Sequence, residues 1–342
     1  MTDTTNQQWE FTQAGGPEVL HLVDRDPVAP GHGEVRIRVE AFSMNRSDLM
    51  FLADEYLETP VFPSRFGTEA AGTIDAVGDG VTGLSLGDRV TSVNAFSVSQ
   101  YGTFGNTAIV PARAVIRVPN RFSSAQAASF GFPYLTNYFA LFEIGAVKPG
   151  QVVLVTAATS TTGLAALPMI KSAGGISIAT TRTNSKRDAL IRAGADHVIV
   201  TDEEDLVARV MEITDGRGAD LAYDPAPATF GDSVANSLAV GGLWIIYGFM
   251  TPPSTFPWWP VMGRSLRVHF YAVYEFSGNP LVGLPGKEEK FTDAKRVITA
   301  SVESGSWPPV PVDTVFDGIE NLPTAVQHML DGRAVGKIVV TI

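Results

Sequence analysis

The chain of 342 residues exceeds the usual size of a single hydrophobic core, so two domains are expected. Its formal net charge of -11 argues against a nucleic-acid partner, and its lack of cysteine excludes disulfides, iron–sulfur clusters and thiolate-ligated zinc. The start of the chain has no apolar leader and no apolar run reaches about 18 residues, so a cytoplasmic protein without a membrane segment is expected.

The first elements in chain order are short and rich in β-forming residues. Glycine and proline separate runs such as Glu34–Glu40, Gly72–Val77 and Asp88–Val93. This rhythm predicts a small β-barrel in the first part of the chain.

Beyond Gly150, short apolar runs alternate with helical patterns, which predicts a doubly wound α/β domain whose parallel sheet is covered on both faces. The predicted elements are strand Val152–Val155, a helix from about Leu164, strand Ile176–Thr180, a helix around Ser185–Ala193, strand His197–Val200, a helix over Glu203–Ile213, and strands Leu221–Asp224, Leu243–Tyr247 and Val268–Tyr271.

After about Phe276 the pattern is irregular, apart from a helix near Asp293–Ser301 and a closing strand at Lys337–Thr341. The tail is therefore expected to rejoin the first domain. We place a substrate domain at residues 1–130, a dinucleotide-binding domain at 131–275 and the returning segment at 276–342.

A loop of small residues joins the first strand of the α/β half to its helix. A sharp turn there can present the N–H groups of a helix N-terminus to a pyrophosphate, which predicts dinucleotide binding. Only Gly163 survives of the three glycines in GxGxxG, so a turn that binds nothing is the alternative. The predicted cofactor contacts in this loop are Ala158, Thr159, Ser160, Thr161, Thr162 and Gly163.

The second strand of this half ends without the acidic residue that would favour NAD. Thr181 and Arg182 stand at its end, and Lys186 lies on the following turn. A guanidinium can chelate the 2′-phosphate of NADPH through paired N–H donors, so these residues predict NADPH as the cofactor. The alternative is that both cations only solubilise the start of a helix.

Glycine-containing segments outside the cofactor loop carry a family resemblance. Residues 67–72 read GTEAAG, and Gly78, Val81 and the GDRV of 87–90 follow. Together with TAATSTTG, WIIYG and the terminal GKIVV, these segments resemble the medium-chain dehydrogenase/reductase superfamily along nearly the whole chain. The resemblance implies a GroES-like β-barrel substrate domain and a Rossmann domain.

Zinc-binding members of that superfamily carry the motif GHExxGxxxxxGxxV. Here Thr68 stands at the histidine of the motif, and Asn45 looks like the position of the first zinc-binding cysteine. The five histidines have no ligand-like spacing, so no metal site is predicted. Asn45 and Asp48 instead resemble the Asn-x-x-Asp pattern of the zinc-free quinone oxidoreductase and enoyl reductase branch.

Without a metal, an acceptor oxygen must be polarised by hydrogen bonds, which favours conjugated acceptors over simple ketones. Asn45 is the predicted catalytic donor, and a loop-stabilising asparagine is the alternative. Tyr56 is the second predicted catalytic residue, which would protonate the enolate or donate a hydrogen bond to its oxygen; the alternative is a half-buried packing role. It follows Asp54 and Glu55 where the family usually has a G-x-Y turn.

The resemblance extends the predicted cofactor site. Thr136, in a segment similar to the family's TAY, and Lys337, in the terminal GKIVV, are expected to contact the cofactor. Tyr247, Gly248 and Phe249 end a strand at the carboxyl edge of the predicted sheet, where open α/β folds bind their ligands.

An aromatic run that contains Trp258 and Trp259 lies beside the predicted edge strand near Arg267–Tyr271. Exposed aromatic residues in this position favour a subunit contact over a stacking pocket, so we expect a homodimer formed through that edge.

The sequence thus predicts an NADPH-dependent, zinc-independent reductase of activated C=C bonds or quinones, which acts on a hydrophobic carbonyl or quinone. A carbonyl reductase that uses the same residues is one alternative. An NADPH-binding sensor or structural protein with little turnover is another.

Overall fold

The computed structural model describes residues 6–249 and 256–342. Residues 1–5, which belong to the chain start where no leader is expected, and residues 250–255 lie outside the described part. The chain forms two compact units. The first comprises Met1–Leu135, Tyr274–Ser304 and Pro309–Ile342, and the second comprises Thr136–Val273 and Gly305–Pro308.

The strands are numbered in chain order. They are β1 (Gln7–Phe11), β2 (Leu20–Asp24), β3 (Glu34–Ser43), β4 (Ser64–Arg65), β5 (Glu69–Val77), β6 (Arg89–Ser92), β7 (Thr107–Pro111), β8 (Val115–Arg117), β9 (Val152–Val155), β10 (Ile176–Thr181), β11 (His197–Val200), β12 (Ala219–Asp224), β13 (Leu238–Ile246), β14 (Arg267–Phe270), β15 (Val312–Asp317) and β16 (Lys337–Thr341).

The helices are numbered in the same way. They are α1 (Arg46–Leu52), α2 (Val98–Tyr101), α3 (Ser124–Ala127), α4 (Gly131–Tyr138), α5 (Thr161–Ser172), α6 (Arg187–Arg192), α7 (Leu206–Ile213), α8 (Pro227–Ser237), α9 (Trp258–Gly263), α10 (Tyr274–Ser277), α11 (Glu288–Ser304) and α12 (Leu322–Leu330). A π-helical segment, Phe139–Ile144, continues α4.

The first unit is built around the long strand β3. Strand β5 pairs with β3 along one edge, while β7 and β16 share the other edge, pairing with residues 34–38 and 41–43 respectively. The parallel pair β15–β16 therefore joins an otherwise antiparallel sheet, and β1, β2 and β4 form a second small sheet. The end of the chain is thus hydrogen-bonded to the segment that leads into α1.

Two glycines of the GTEAAG segment are required by packing. Gly67 has a φ of +93°, and a Cβ there would lie 2.1 Å from the Phe104 ring. A Cβ on Gly72 would lie 2.0 Å from the carbonyl oxygen of Arg38 on the paired strand. Part of the sequence motif therefore reflects the close approach of strands in the barrel rather than ligand binding.

The second unit contains a six-stranded parallel sheet in the order β11-β10-β9-β12-β13-β14. Because the strand order reverses direction between β9 and β12, the sheet is doubly wound and its switch point lies at these two strands. Its core contains fully buried residues from several strands, including Leu154, Ile178 and Trp244. The structure thus has the predicted doubly wound α/β domain together with a separate β domain.

Several element boundaries differ from the predicted ones. Helix α7 begins at Leu206 rather than at Glu203, because Asp205 caps it by accepting a 2.8 Å hydrogen bond from Ala208 N. Strand β3 continues to Ser43 beyond its predicted end at Glu40, since β16 pairs with that extension.

Candidate active site

Five polar side chains from distant segments meet inside the first unit. Asn45 is the N-cap of α1, Asp48 lies in its first turn, Thr68 and Glu69 lie where β5 begins, and Lys337 is the first residue of β16. All five are at most 8% exposed. The pairing of both β5 and β16 with the end of β3 brings these segments together.

The Asn45 amide is held from both ends. Lys337 Nζ donates to Asn45 Oδ1 at 2.6 Å, and Asn45 Nδ2 donates to Thr68 Oγ1 at 3.2 Å. This orients the amide with its oxygen towards the ammonium and leaves the second N–H of Nδ2 for another acceptor. Asn45 can therefore act as a positioned hydrogen-bond donor.

Lys337 and Glu69 form a buried ion pair. Lys337 Nζ lies 2.6 Å from Glu69 Oε2, and both side chains are fully buried. Ser43 Oγ donates to the same carboxylate oxygen at 3.1 Å, and Phe132 N donates to Oε1 at 2.9 Å. Because several donors satisfy this carboxylate, the pair meets the conditions under which a buried ion pair is tolerated.

Asp48 fixes the other side of the Asn45 segment. It accepts from Asn45 N at 2.7 Å and from Thr68 Oγ1 at 2.8 Å. Burial of the carboxyl group raises the pKa of Asp48 to about 7, although these hydrogen bonds and the Lys337 charge oppose the rise.

Tyr56 follows a tight turn at the end of α1. In that turn Asp54 has a φ of +56°, so this chain keeps the left-handed conformation that glycine would adopt without strain. The Tyr56 side chain is half-buried, and burial of its phenol end raises the pKa of Tyr56 to about 12. The phenol is neutral at physiological pH and can donate a hydrogen bond, but it is a weaker acid than a free phenol.

Lys337 Nζ donates to two buried oxygens, Asn45 Oδ1 and Glu69 Oε2. The cofactor contact predicted for it remains a prediction. Sequence reasoning missed its link to Asn45 because 292 positions separate the two residues.

In the second unit, the predicted cofactor loop joins β9 to α5. Ser160 is the N-cap of α5, and its Oγ accepts from Gly163 N at 3.1 Å. A Cβ on Gly163 would lie 2.7 Å from Ala158 Cα, so this glycine lets the helix pack on the loop. Ala158 is fully buried and its N–H donates to Thr180 O, so this N–H is not free for a ligand.

The remaining loop residues are Thr159, Thr161 and Thr162, which lie at or next to the start of α5. A helix N-terminus at the carboxyl edge of a parallel sheet, beside the switch point, suits a pyrophosphate.

The residues predicted to recognise the 2′-phosphate follow strand β10. Thr181 is buried at its end, and the Arg182 side chain is exposed, with no ion pair or hydrogen bond to another described residue. Lys186 is half-buried in the next turn. An exposed guanidinium at this point is available for a phosphate.

Tyr247 lies after β13 and stacks on Tyr223, with ring centroids 4.0 Å apart. Its hydroxyl is buried without a hydrogen-bond partner among the described residues. Gly248 has no protein contact closer than 3.4 Å to a built Cβ, and Phe249 is exposed. Thr136 is buried, and its carbonyl accepts from Tyr271 Oη at 3.0 Å.

Two residues that support the cofactor loop were not predicted. Asn137 Nδ2 donates to Thr162 O at 2.9 Å, and its Oδ1 accepts from Tyr223 Oη at 2.8 Å. Asp224, at the end of β12, accepts from Thr156 Oγ1 at 2.5 Å, and burial raises the pKa of this carboxyl group. Of these two residues, only Asp224 had a signal in the sequence, since it is an acid at the end of an apolar strand.

The second unit fits a dinucleotide. Gly163, the exposed Arg182 and the unpartnered Tyr247 hydroxyl follow β9, β10 and β13 in the chain, so they belong to the carboxyl edge of the sheet, at or next to the two strands of the switch point. In residues 6–249 and 256–342, no group of three His, Asp or Glu side chains could hold a metal ion. Among the same residues, no helix combines the length and apolar character that a membrane span needs.

Comparisons with known proteins agree with this geometry. Residues 31–120 match the alcohol dehydrogenase GroES-like domain, and residues 161–280 match the zinc-binding dehydrogenase family. Quinone oxidoreductase 1 of Escherichia coli is 34% identical over 70% of this chain and 72% of its own length. The chain belongs to the quinone oxidoreductase family of the medium-chain dehydrogenase/reductase superfamily.

Two solved structures that are similar to this chain contain NADPH. An Escherichia coli quinone oxidoreductase superposes with a TM-score of 0.85 at 26% identity, covering 98% of this chain and 100% of the other. A mycobacterial protein superposes with a TM-score of 0.86 at 30% identity and the same coverage. The predicted family is therefore confirmed.

Proposed function

We propose that this chain, an NADPH-dependent oxidoreductase, reduces quinones or activated C=C bonds without zinc. The observation that carries the proposal is the Lys337 ammonium, which contacts both Asn45 and Glu69. This group orients a neutral amide donor towards an acceptor oxygen, which is the kind of assistance that a conjugated acceptor needs.

The cofactor assignment rests on the second unit. The N-terminus of α5 suits the pyrophosphate, and Arg182 is free to chelate the 2′-phosphate of NADPH. The predicted NADPH agrees with the two similar proteins solved as NADPH complexes. When bound, NADPH supplies the hydride.

The first unit supplies the groups that act on the acceptor. The free N–H of Asn45 stabilises negative charge that develops on the acceptor oxygen as the hydride arrives, and Lys337 and Thr68 keep the amide in position. Tyr56 donates a hydrogen bond from a phenol that burial keeps neutral. Solvent supplies the proton that completes the reduction.

The same residues support the proposed zinc independence. A zinc ion needs anionic or neutral nitrogen, oxygen or sulfur ligands, and here Thr68 and Asn45 stand where zinc-binding members have a histidine and a cysteine. The acid of the motif, Glu69, already pairs with the Lys337 ammonium, whose positive charge would repel a metal ion.

We also propose a homodimer through the edge of the second unit's sheet. Strand β14 is the last strand of that sheet, and Phe270 at its end is 60% exposed. Trp258, Trp259 and Met262 of α9 are 66%, 82% and 67% exposed, which is unusual for large apolar side chains of a monomer. A twofold-related copy can complete the sheet and cover them; a monomer in sedimentation at micromolar protein would overturn this part of the proposal.

The experiment is an acceptor screen that follows NADPH oxidation, combined with elemental analysis of the same protein. We expect turnover of 1,4-naphthoquinone or trans-2-hexenal, little turnover of simple ketones, a preference for NADPH over NADH and no stoichiometric zinc. Turnover of simple ketones alone would favour a carbonyl reductase, and a lack of turnover with every acceptor would favour an NADPH sensor. Activity that follows bound zinc would contradict zinc independence.

A further inference from the structure

Several buried residues of the first unit carry side-chain polar atoms without a hydrogen-bond partner among the described residues, and two of them, Asn94 and Tyr274, lie beside Tyr56. Asn94, which follows β6, is 1% exposed, and neither its Nδ2 nor its Oδ1 has a hydrogen-bond partner. Tyr274, the first residue of α10, is fully buried with an unpartnered hydroxyl. Each such group costs about 1–3 kcal/mol unless a ligand or water satisfies it, so their presence needs a reason.

The side chains of Asn94 and Tyr274 both lie next to the side chain of Tyr56. The rings of Tyr56 and Tyr274 are 6.5 Å apart in an edge-to-face arrangement. Ser277 Oγ, at the end of α10, donates to Asn94 O at 2.7 Å and so holds this helix against the Asn94 segment. Asn94 and Tyr274 also oppose the rise in the pKa of Tyr56 that burial causes, which places all three polar ends near one another.

A buried carboxylate keeps this arrangement rigid. Glu58, two residues after Tyr56, is 3% exposed and accepts from Ser97 Oγ at 2.6 Å and Ser99 N at 2.9 Å. It also accepts from Asn279 Nδ2 at 2.9 Å. The Tyr56 loop, α2 and the segment after α10 are therefore tied to one group, and the unpartnered atoms are preorganised for a ligand.

The chemistry of an unpartnered amide narrows the ligand class. Asn94 offers a donor at Nδ2 and an acceptor at Oδ1, and Tyr274 offers a further donor. A quinone oxygen accepts hydrogen bonds before reduction and, as a hydroquinone hydroxyl, donates one afterwards. A quinone has two oxygens, so one can meet Asn45 while the other reaches Asn94 and Tyr274, whereas the single oxygen of an enal is held by Asn45 and leaves this pair unused.

We propose that Asn94 and Tyr274 form a subsite for one oxygen of a quinone and for the hydroxyl of the hydroquinone product. This inference rests on the proposed function and names its acceptor class. Reduction adds one hydride from NADPH and one proton from solvent to the quinone, which gains two electrons, and leaves NADP⁺. Asn94 Nδ2 and Tyr274 Oη donate to the quinone, and Asn94 Oδ1 accepts from the hydroquinone.

The test compares Tyr274→Phe and Asn94→Ala with the wild type in three measurements. These are KM for 1,4-naphthoquinone and for trans-2-hexenal, binding of 1,4-dihydroxynaphthalene by anaerobic calorimetry with NADP⁺ present, and Tm. We expect each variant to raise the quinone KM and the hydroquinone Kd about tenfold, with the hexenal KM changed less than about twofold. Tyr274→Phe removes only an unpartnered hydroxyl, so its Tm should stay equal or rise.

Thr103→Val is the matched control, because Thr103 Oγ1 is also buried without a partner in the same unit. It should leave KM and hydroquinone binding unchanged. Unchanged KM and hydroquinone binding in both test variants would overturn the subsite, and so would a lower Tm of Tyr274→Phe with normal kinetics.

The binding measurement separates this inference from the proposed function. Suppose that no tested acceptor supports NADPH oxidation, but that the wild type binds the hydroquinone and the variants do not. This result would support the subsite and overturn the proposed activity. Turnover of hexenal by a wild type that does not bind the hydroquinone would overturn the subsite alone.

Discussion

The ammonium of Lys337 lies 2.6 Å from Glu69 Oε2, and neither side chain has exposed surface. The same ammonium lies 2.6 Å from Asn45 Oδ1. One buried cation therefore neutralises Glu69, the acid of the GTEAAG segment, and orients the Asn45 amide, which stands where zinc-binding members have a cysteine. This relationship links the stability of the first unit to its chemistry.

Removal of Lys337 should destabilise the protein strongly. In Lys337→Met the Glu69 carboxylate stays buried without its counter-charge, so the free energy of unfolding should fall by about 3–5 kcal/mol. The double variant Lys337→Met/Glu69→Gln should recover a large part of this loss, because the uncompensated charge is gone. Urea titration measures both.

The control for this prediction is the exposed pair between Arg296 and Asp293, whose atoms are 3.3 Å apart on α11. Arg296→Met should change the free energy of unfolding by no more than about 0.5 kcal/mol. A Lys337→Met protein as stable as this control would contradict the buried ion pair.

Asp48 should make stability depend on pH. Burial raises the pKa of its carboxyl group from 3.8 to about 7, so the folded state holds a proton that the unfolded state releases as pH rises from about 4 to 7. The contribution of this group to stability is therefore full below pH 4 and is lost as pH rises through 7.

Asp48→Asn tests this dependence, because an amide does not titrate. The difference in free energy of unfolding, variant minus wild type, should increase from pH 5 to pH 8. A pH-independent effect of the substitution shifts the whole curve but does not change this increase. Parallel curves for the two proteins over this range would mean that the pKa of Asp48 is not raised.

Arg182 should select the cofactor. Arg182→Ala removes a charge-assisted contact to the 2′-phosphate, so the Kd for NADPH should rise about tenfold to a few hundredfold while the Kd for NADH barely changes. Arg192→Ala, an exposed arginine at the end of α6, is the control and should affect neither cofactor. An equal loss of affinity for NADPH and NADH in Arg182→Ala would contradict the assignment of Arg182 to the 2′-phosphate.

Tyr56 should act as a hydrogen-bond donor rather than as an acid. With a pKa of about 12 the phenol holds its proton tightly, so Tyr56→Phe should lower kcat/KM by about tenfold for quinone and enal acceptors alike. A loss confined to enals, whose α-carbon must take a proton, would instead identify a proton donor. Tyr101→Phe, which removes a hydroxyl bonded to Glu34 at 2.7 Å, serves as the control.

The parts of the fold that the sequence predicted well are those governed by local pattern. Strands Val152–Val155, His197–Val200 and Lys337–Thr341 have the predicted bounds, since each is a short apolar run set off by turns. Strands β1 and β2 were not predicted, because their mixed sequences QQWEF and LHLVD show no clear alternation.

The candidate site was predictable only where its residues are close in sequence. Asn45 and Asp48 share one helix start, and Ser160 and Gly163 share another, so spacing alone connects them. Lys337 reaches Asn45 only because β16 pairs with β3, and no local pattern carries that information.

Asn94 and Tyr274 were missed for a related reason. Each lies in a segment without a motif, and what marks them is the absence of a hydrogen-bond partner in a buried setting. That property exists only in three dimensions, since it depends on which other segments surround the side chain.

The central claim is that Asn45 stabilises an acceptor oxygen where a metal would otherwise act. The most direct measurement is steady-state kinetics of Asn45→Ala and Asn45→Asp with 1,4-naphthoquinone, together with the Kd for NADPH. Asn45→Asp retains an oxygen for Lys337 but loses the N–H donor. We predict that kcat and kcat/KM fall together by about tenfold to a thousandfold in both variants, with the Kd for NADPH within about twofold of the wild type. Normal rates with a raised Kd for NADPH would contradict the claim and assign Asn45 to the cofactor.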